Sequence, residues 1–159
     1  MNRWAPRVLV VLLLLALLAS TADAQRRSRR RAVATSPGPR WGGHIGYSFD
    51  TDDMLLGAQL SWPISTSLDF YPSFDYYFVD GSNSFWALNF DLKFRPQTRY
   101  RIWYIGGGLN LLHSGNTDAH LNLLTGLEDR RGRVRPYVEG KFILGDNSLF
   151  QLVGGISLR

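Results

Sequence analysis

The sequence contains 159 residues, no cysteine and a formal net charge of +5. The absence of cysteine excludes disulfide bonds, thiolate metal sites and cysteine nucleophiles. The charge is uneven, because residues 25–39 carry five arginines and no acid, whereas residues 40–159 carry eleven basic and twelve acidic side chains. A domain that is almost neutral lacks the basic surface that nucleic acids require, so we expect no nucleic-acid partner.

The first 24 residues have the pattern of a secretory signal peptide. Arg3 and Arg7 precede an apolar run over residues 8–18, and Ala22 and Ala24 are the small residues that a signal peptidase reads. About eleven apolar residues are too few to cross a hydrocarbon core of ~30 Å. The arginines after the run favour an uncleaved anchor instead, because positive charge resists translocation. We predict export with cleavage after Ala24.

Residues 25–39 form a segment with almost nothing apolar to bury. Its charged residues are five arginines, Arg26, Arg27, Arg29, Arg30 and Arg31, and it ends in Ser-Pro-Gly-Pro. This composition predicts a disordered linker. Such a run of charge is usually solvated, and an anionic partner such as a lipid headgroup is the alternative role.

From residue 40 onward, apolar and polar residues alternate with a period of two, which is typical of β-strands with one apolar face. The clearest stretch is 86–94, where Trp, Leu and Phe alternate with smaller or polar residues. Eight stretches follow this pattern, at residues 41–49, 56–62, 68–78, 86–95, 103–111, 119–128, 134–144 and 150–158. Each is roughly ten residues long, close to the about 9–11 residues that a membrane-spanning strand needs.

Short connectors of turn-forming residues join the stretches, among them 80–83, 114–116 and 145–147. They are typical of hairpins, so we expect an antiparallel up-and-down order. An exported sheet with no helix to cover its edges can satisfy them by closing into a barrel. The predicted fold class is therefore all-β, an eight-stranded antiparallel up-and-down barrel over residues 40–159.

Two classes of barrel fit this pattern, and the charges help to separate them. A soluble carrier such as a lipocalin turns its apolar face inward, whereas a transmembrane barrel turns it toward lipid. The connectors at one end, the acidic end, carry no Lys or Arg but hold Asp50, Asp52, Asp53, Asp80, Asp118 and Asp146. The opposite basic end holds, beside Asp129, nine of the eleven basic residues, Arg40, Arg95, Arg99, Arg101, Arg130, Arg131, Arg133, Arg135 and Arg159. A wrong strand count would scramble this sorting, which therefore supports the topology.

The aromatic residues of the apolar face also sort by height. Those near the basic end are Trp41, Trp62, Phe70, Phe94 and Trp103. Those near the acidic end are Tyr47, Phe49, Phe78, Trp86, Phe142 and Phe150. Mostly aliphatic residues lie between the two groups. Because two aromatic girdles around an aliphatic band match the two interfaces of a bilayer, we predict a transmembrane barrel.

On these features, residues 40–159 resemble the small eight-stranded outer-membrane barrels of the OmpA/OmpX-like superfamily. Besides the architecture, the strand openings Gly-Gly-Gly-Leu-Asn-Leu at 106–111 and Arg-Pro-Tyr-Val-Glu-Gly at 135–140 carry the resemblance. It implies an outer membrane of the Gram-negative type, a periplasmic N-terminus and insertion by the barrel-assembly machinery. It implies no single activity, because such barrels serve as anchors, adhesins and enzymes. Members commonly end in an aromatic residue, whereas this sequence ends in Arg159.

The polar face has to fill the interior of the barrel. Asp91 and Lys93 on the fourth strand, and Glu139 and Lys141 on the seventh, lie at comparable depth. Desolvated charges need partners, so we predict that these four residues pair across the lumen as a structural network. This interpretation competes with an ion or proton path. Since side chains just fill an eight-stranded barrel, we expect no open pore.

One loop at the acidic end contains residue types that could catalyse hydrolysis. His113, Ser114, Asp118 and His120 could supply a triad, and some barrels that this sequence resembles deacylate lipid A. However, His113 and Ser114 are adjacent and lack the His-x-Ser spacing of those deacylases, and turns commonly contain these residue types. We predict no catalytic residues and no enzyme activity, with a lipid hydrolase as the alternative.

The remaining polar residues do not predict a cofactor or metal site. Asp50, Asp52 and Asp53 could bind Ca²⁺ weakly, but they lack the EF-hand pattern, and a solvated turn explains them. His44 is expected to be an isolated interior residue that is hydrogen-bonded to its neighbours. The sequence thus predicts an integral outer-membrane protein with a structural or interaction role, monomeric, in contact with outer-membrane lipids and lipopolysaccharide. A soluble exported carrier is the second alternative.

Overall fold

The computed structural model describes residues 38–79, 85–96, 102–145 and 148–159. The predicted signal peptide over 1–24, its cleavage after Ala24 and the linker up to residue 37 lie outside the described residues. Residues 80–84, 97–101 and 146–147, which belong to connectors between strands, also lie outside the described residues. Within the described ranges, no helix is long and apolar enough to cross a membrane.

Eight antiparallel strands form a closed barrel. In chain order they are β1 (Arg40–Ser48), β2 (Asp53–Pro63), β3 (Leu68–Phe78), β4 (Phe85–Phe94), β5 (Trp103–His113), β6 (Thr117–Glu128), β7 (Val134–Leu144) and β8 (Leu149–Leu158). Each strand pairs with its neighbour in sequence, and β8 pairs with β1 to close the sheet. The predicted fold class, an eight-stranded up-and-down barrel, is confirmed.

Three of the described turns between strands contain a residue with a left-handed backbone. Gly115 and Gly132 have φ angles of 96° and 92° in the turns before β6 and β7. Glycine adopts this conformation without steric cost. Asp52 also has a positive φ, of 64°, in the turn between β1 and β2. The hydroxyl of Tyr47 donates a hydrogen bond to the Asp52 carboxylate and stabilises this turn.

The barrel has a polar interior and an apolar exterior. Among the described residues, nineteen buried residues are polar or charged and ten are hydrophobic. Outside, twenty-three large hydrophobic residues are exposed, and Leu109 in β5 retains 53% of its accessible surface. A soluble carrier barrel has the opposite arrangement, so the carrier alternative is wrong for this fold. The prediction that apolar side chains point away from the barrel axis is confirmed.

Exposed aromatic residues lie near both ends of the exterior. Trp41 and Trp62 are exposed near the basic end, and Phe78 and Phe142 near the acidic end. The prediction was wrong in one detail, because Tyr47 is buried rather than exposed in the girdle. Phe49 and Leu152 cover its ring, and its hydroxyl turns to Asp52.

Candidate functional site in the polar interior

The interior near the basic end is built around a buried guanidinium group. Arg95 follows β4, and its Nε donates to Oδ2 of Asp69 at 2.8 Å, while Nη2 lies 2.6 Å from Oε2 of Glu128. Burial by itself lowers the pKa of Arg95, but the carboxylates of Glu128 and Asp69 more than offset this and raise it. This arginine therefore stays charged and joins β3, β4 and β6 across the barrel.

The next layer holds Lys93 among aromatic rings. Its Nζ donates to Oε2 of Glu139 at 2.5 Å, and the Tyr104 hydroxyl donates to the same oxygen at 2.7 Å. The ammonium also lies 3.3 Å from the ring centroid of Tyr71, with Tyr104 and Tyr137 farther away at 4.8 and 5.4 Å. Aromatic faces attract a cation at these distances. Lys93 is thus held by one carboxylate and a cage of tyrosines.

Lys141 is held differently, between two carboxylates. Its Nζ lies 3.6 Å from Oδ2 of Asp91 and 3.9 Å from Oδ2 of Asp75. Asn122 donates to Oδ1 of Asp91 at 2.9 Å and thereby supplies a hydrogen bond to that carboxylate. The structure therefore brings all four residues of the predicted network into two ion pairs, and it adds Asp75 as a further acid.

Asparagine side chains connect these charges. The amide nitrogen of Asn89 donates to Oδ2 of Asp75 at 2.8 Å and to Oγ of Ser73 at 3.2 Å. Its amide oxygen accepts hydrogen bonds from Asn110 at 2.8 Å and Asn122 at 2.9 Å. Asn89 therefore links β3, β4, β5 and β6 at the centre of the barrel.

His44 is buried in the interior and hydrogen-bonded to its neighbours, as predicted, but through them it belongs to the charge network rather than being isolated. Its Nε2 lies 2.6 Å from Oδ1 of Asp75, and its Nδ1 lies 2.5 Å from Oε1 of Gln59. The intervening strand β2 contributes Gly57 at this point, where a Cβ atom would lie 2.1 Å from His44 Nε2. Glycine there leaves the space through which His44 reaches from β1 to β3.

Toward the acidic end, the interior becomes apolar. A buried cluster there contains Leu55, Tyr77, Ala87 and Val153, with Phe85 and Leu112 packed against it, and it extends to Tyr137 of the Lys93 layer. This apolar cap was not predicted from the sequence, because most inward positions of the strands are polar. The sequence does contain a signal for it, because inward positions near the acidic end of several strands hold Leu, Ile or Val.

The residues that suggested hydrolysis do not come together. His113 stacks on the exterior ring of Trp86 with centroids 4.9 Å apart, and its Nδ1 lies 2.9 Å from Oγ1 of Thr117. His120 faces the other side of the sheet, where its ring packs on Gly145. Within the described part of the chain, no hydrogen bond joins either histidine to Ser114 or Asp118. This arrangement does not form a triad.

The aspartates of the first turn have structural contacts of their own. Asp50 Oδ2 accepts the backbone N–H of Phe150 at 2.5 Å, and Asp52 accepts the hydroxyl of Tyr47. These contacts join the turn to β8 and β1. Over the ranges that the structure covers, no group of three His, Asp or Glu side chains is placed to hold a metal ion.

Comparison with solved structures identifies similar folds at low sequence identity. The N-terminal β-barrel domain of Pseudomonas aeruginosa OprF has a TM-score of 0.61 and 12% identity, covering 76% of this chain and 95% of that domain. Neisserial surface protein A has a TM-score of 0.57 and 14% identity, covering 76% and 93%. A product of the de novo design of transmembrane β-barrels has a TM-score of 0.55 and 12% identity, covering 79% and 98%.

These structures confirm the resemblance to small outer-membrane barrels at the level of the fold. No protein-family model matches the sequence, and no curated protein matches it either. The shared feature is thus an architecture, and the activity has to be argued from this chain's own residues.

Proposed function

We propose that the protein is an integral outer-membrane barrel with a structural or interaction role, no open pore and no catalytic activity. In this proposal, residues 1–24 direct export and are removed after Ala24. The N-terminus and the basic end face the periplasm, and the acidic end faces outward. The barrel-assembly machinery inserts the chain, which works as a monomer among outer-membrane lipids and lipopolysaccharide.

The observation that carries this proposal is the apolar exterior between two aromatic girdles. Soluble monomers rarely expose contiguous apolar patches of more than a few hundred Å². Here the exposed large hydrophobic residues occur on seven of the eight strands, and the outward residues of β8 are partly buried. A lipid bilayer can solvate such a surface. A closed barrel can also cross the bilayer, because all its backbone hydrogen bonds are made within the protein.

The packed interior supports a role without conduction. Asn89, Asp91, Asn110 and Gln151 are at most 1% exposed, and they lie on three different strands. Ion pairs and amide hydrogen bonds occupy the middle of the lumen, and the apolar cap closes its acidic end. We propose that Asp91, Lys93, Glu139 and Lys141 serve as a structural plug. Opening a path would require buried charges to part, which is costly.

Two matched substitutions test whether the exterior faces lipid. Leu109 near the middle of β5 and Val134 at the start of β7 are 53% and 51% exposed. An arginine costs about 2–4 kcal/mol at the bilayer midplane and about 0–1 kcal/mol near an interface. We therefore expect Leu109→Arg to impair membrane assembly strongly and Val134→Arg to impair it little.

The measurement is heat-modifiable gel migration of protein extracted from the cell envelope with detergent. The folded fraction of Leu109→Arg should fall well below that of Val134→Arg, with wild type as the reference. A water-soluble barrel would tolerate both exposed positions equally. Equal folded fractions, or release of wild type by carbonate without detergent, would overturn the proposal.

A further inference from the structure

The inward side chains nearest the basic end form a layer in which arginines outnumber acids. Arg40 and Arg135 have the inward phase of β1 and β7, and the residues beside them on the chain point outward. Arg95, after β4, is buried in the same layer. The described acids of this layer are two, Asp69 and Glu128, and Arg95 pairs with both. In the described part of the layer, Arg40 and Arg135 therefore have no carboxylate of their own.

Contacts draw the other two guanidinium groups toward Arg135. Nη1 of Arg40 donates to the carbonyl oxygen of Arg133 at 3.4 Å, which brings it beside the start of β7. From the opposite side, Nη2 of Arg95 lies 2.6 Å from Oε2 of Glu128 on β6, the strand that pairs with β7. Arg135 is accordingly repelled by neighbouring arginines, Arg40 and Arg95 among them, and attracted by Glu128.

Two donor atoms of this cluster are buried without an acceptor. They are Nη1 of Arg95 and Nε of Arg135, and neither has a hydrogen-bond partner among the described residues. The side chain of Arg95 is 4% exposed, so bulk water does not compensate its donor. Burying a donor of a charged group without an acceptor is costly. An anion that accepts from both atoms would remove this cost and offset the repulsion between the arginines.

We propose that Arg40, Arg95 and Arg135 form a binding site for a small phosphate-type oxyanion inside the basic end of the lumen. The planar guanidinium group matches the oxygen atoms of such an anion, and donors from different strands contact different oxygens of its tetrahedron. Arg135 is only half-buried, which gives the anion access from that end of the barrel. A soluble anion suits this site better than a phospholipid, because the arginines point inward while the apolar residues beside them point outward. The site requires the closed barrel but no particular orientation in the membrane, so it goes beyond the proposed function.

Nuclear magnetic resonance of the folded, isotope-labelled protein in a zwitterionic detergent tests the site. The Nε–Hε signals of the arginines are followed while inorganic phosphate is added, and sodium chloride at the same ionic strength is the reference. We expect the signals of Arg95 and Arg135 to shift to saturation with phosphate and to stay unchanged with chloride. Arg135→Gln, followed through the Arg95 signal, should lower the phosphate affinity by about tenfold, because a charge-assisted hydrogen bond is lost. The matched control is Arg131→Gln, which removes the same charge from an exposed position in the turn before β7 and should leave the affinity unchanged.

A second variant separates the hydrogen bond from the charge. Arg135→Lys keeps the positive charge but lacks the Nε donor, so we expect it to lose affinity as well. Heat-modifiable migration establishes that each variant is folded. An equal loss in Arg131→Gln, an equal response to phosphate and chloride, or full affinity in Arg135→Lys would overturn the site. So would a response to phosphatidylglycerol at a lower concentration than to inorganic phosphate, because the ligand would then be a lipid headgroup.

Discussion

The two buried lysines of the barrel show two ways of holding a charge away from water. Lys93 has one carboxylate in hydrogen-bond contact, Glu139, and aromatic rings around the rest of the ammonium. Lys141 has two carboxylates, Asp91 and Asp75, at 3.6 and 3.9 Å. Lys93 thus pairs with a single carboxylate, whereas Lys141 compensates the charges of two. The comparison predicts that Lys93 can be replaced together with its partner, whereas replacing Lys141 is more costly.

The largest effect is expected for Lys141→Met. The substitution leaves both Asp91 and Asp75 without their cation, and removing one partner of a buried ion pair costs about 3–5 kcal/mol. Because two buried carboxylates lose their cation, we expect the loss in the free energy of unfolding to lie at or above the upper end of that range. Urea unfolding in lipid vesicles, followed by tryptophan fluorescence, measures the free energy of unfolding. A loss smaller than that of Glu139→Leu would contradict the comparison.

Glu139→Leu should cost about 3–5 kcal/mol, because Lys93 then lacks its carboxylate. The double variant, Lys93→Met with Glu139→Leu, should recover most of this loss, since two apolar side chains leave no buried charge without a partner. The same unfolding measurement provides a double-mutant cycle. If the loss in the free energy of unfolding for the double variant equals the summed losses of Lys93→Met and Glu139→Leu, the two residues do not stabilise each other as a pair.

Leu55→Ala tests the apolar cap against the polar layers below it. Leu55 is 1% exposed, and truncating a buried leucine costs about 2–5 kcal/mol by loss of packing. No charge is stranded, so the effect should be smaller than that of Lys141→Met. Leu56→Ala, on the lipid-exposed side of the same strand, is the control and should cost much less. Equal losses at the two positions would mean that the cap is not packed.

The smallest effect is expected for His113→Ala, which removes a ring from the exterior at the acidic end. Substitutions outside packed or charged cores usually change stability by about 0.5 kcal/mol or less. Lipid A acyl chains from cells that express the variant or wild type should be identical by mass spectrometry. A deacylated species that appears only with wild type would restore the hydrolase alternative.

Much of this architecture was predictable, because alternation assigns each side chain to a face. The inward positions of Asp91, Lys93, Glu139 and Lys141 follow from their phase on β4 and β7. The contact of His44 with Asp75 was harder to predict, since it depends on the absence of a side chain at Gly57. Tyr47 shows a second limit, because its phase places it outward while Phe49 and Leu152 bury it.

By itself the sequence determined the strand number, the face of each side chain and the sorting of charge between the two ends. These properties are local, since successive strand side chains point to opposite faces. Only the tertiary structure decided which charges meet, as in Lys93 with Glu139, 46 positions away. Strand register and barrel closure set those contacts, and a period of two specifies neither.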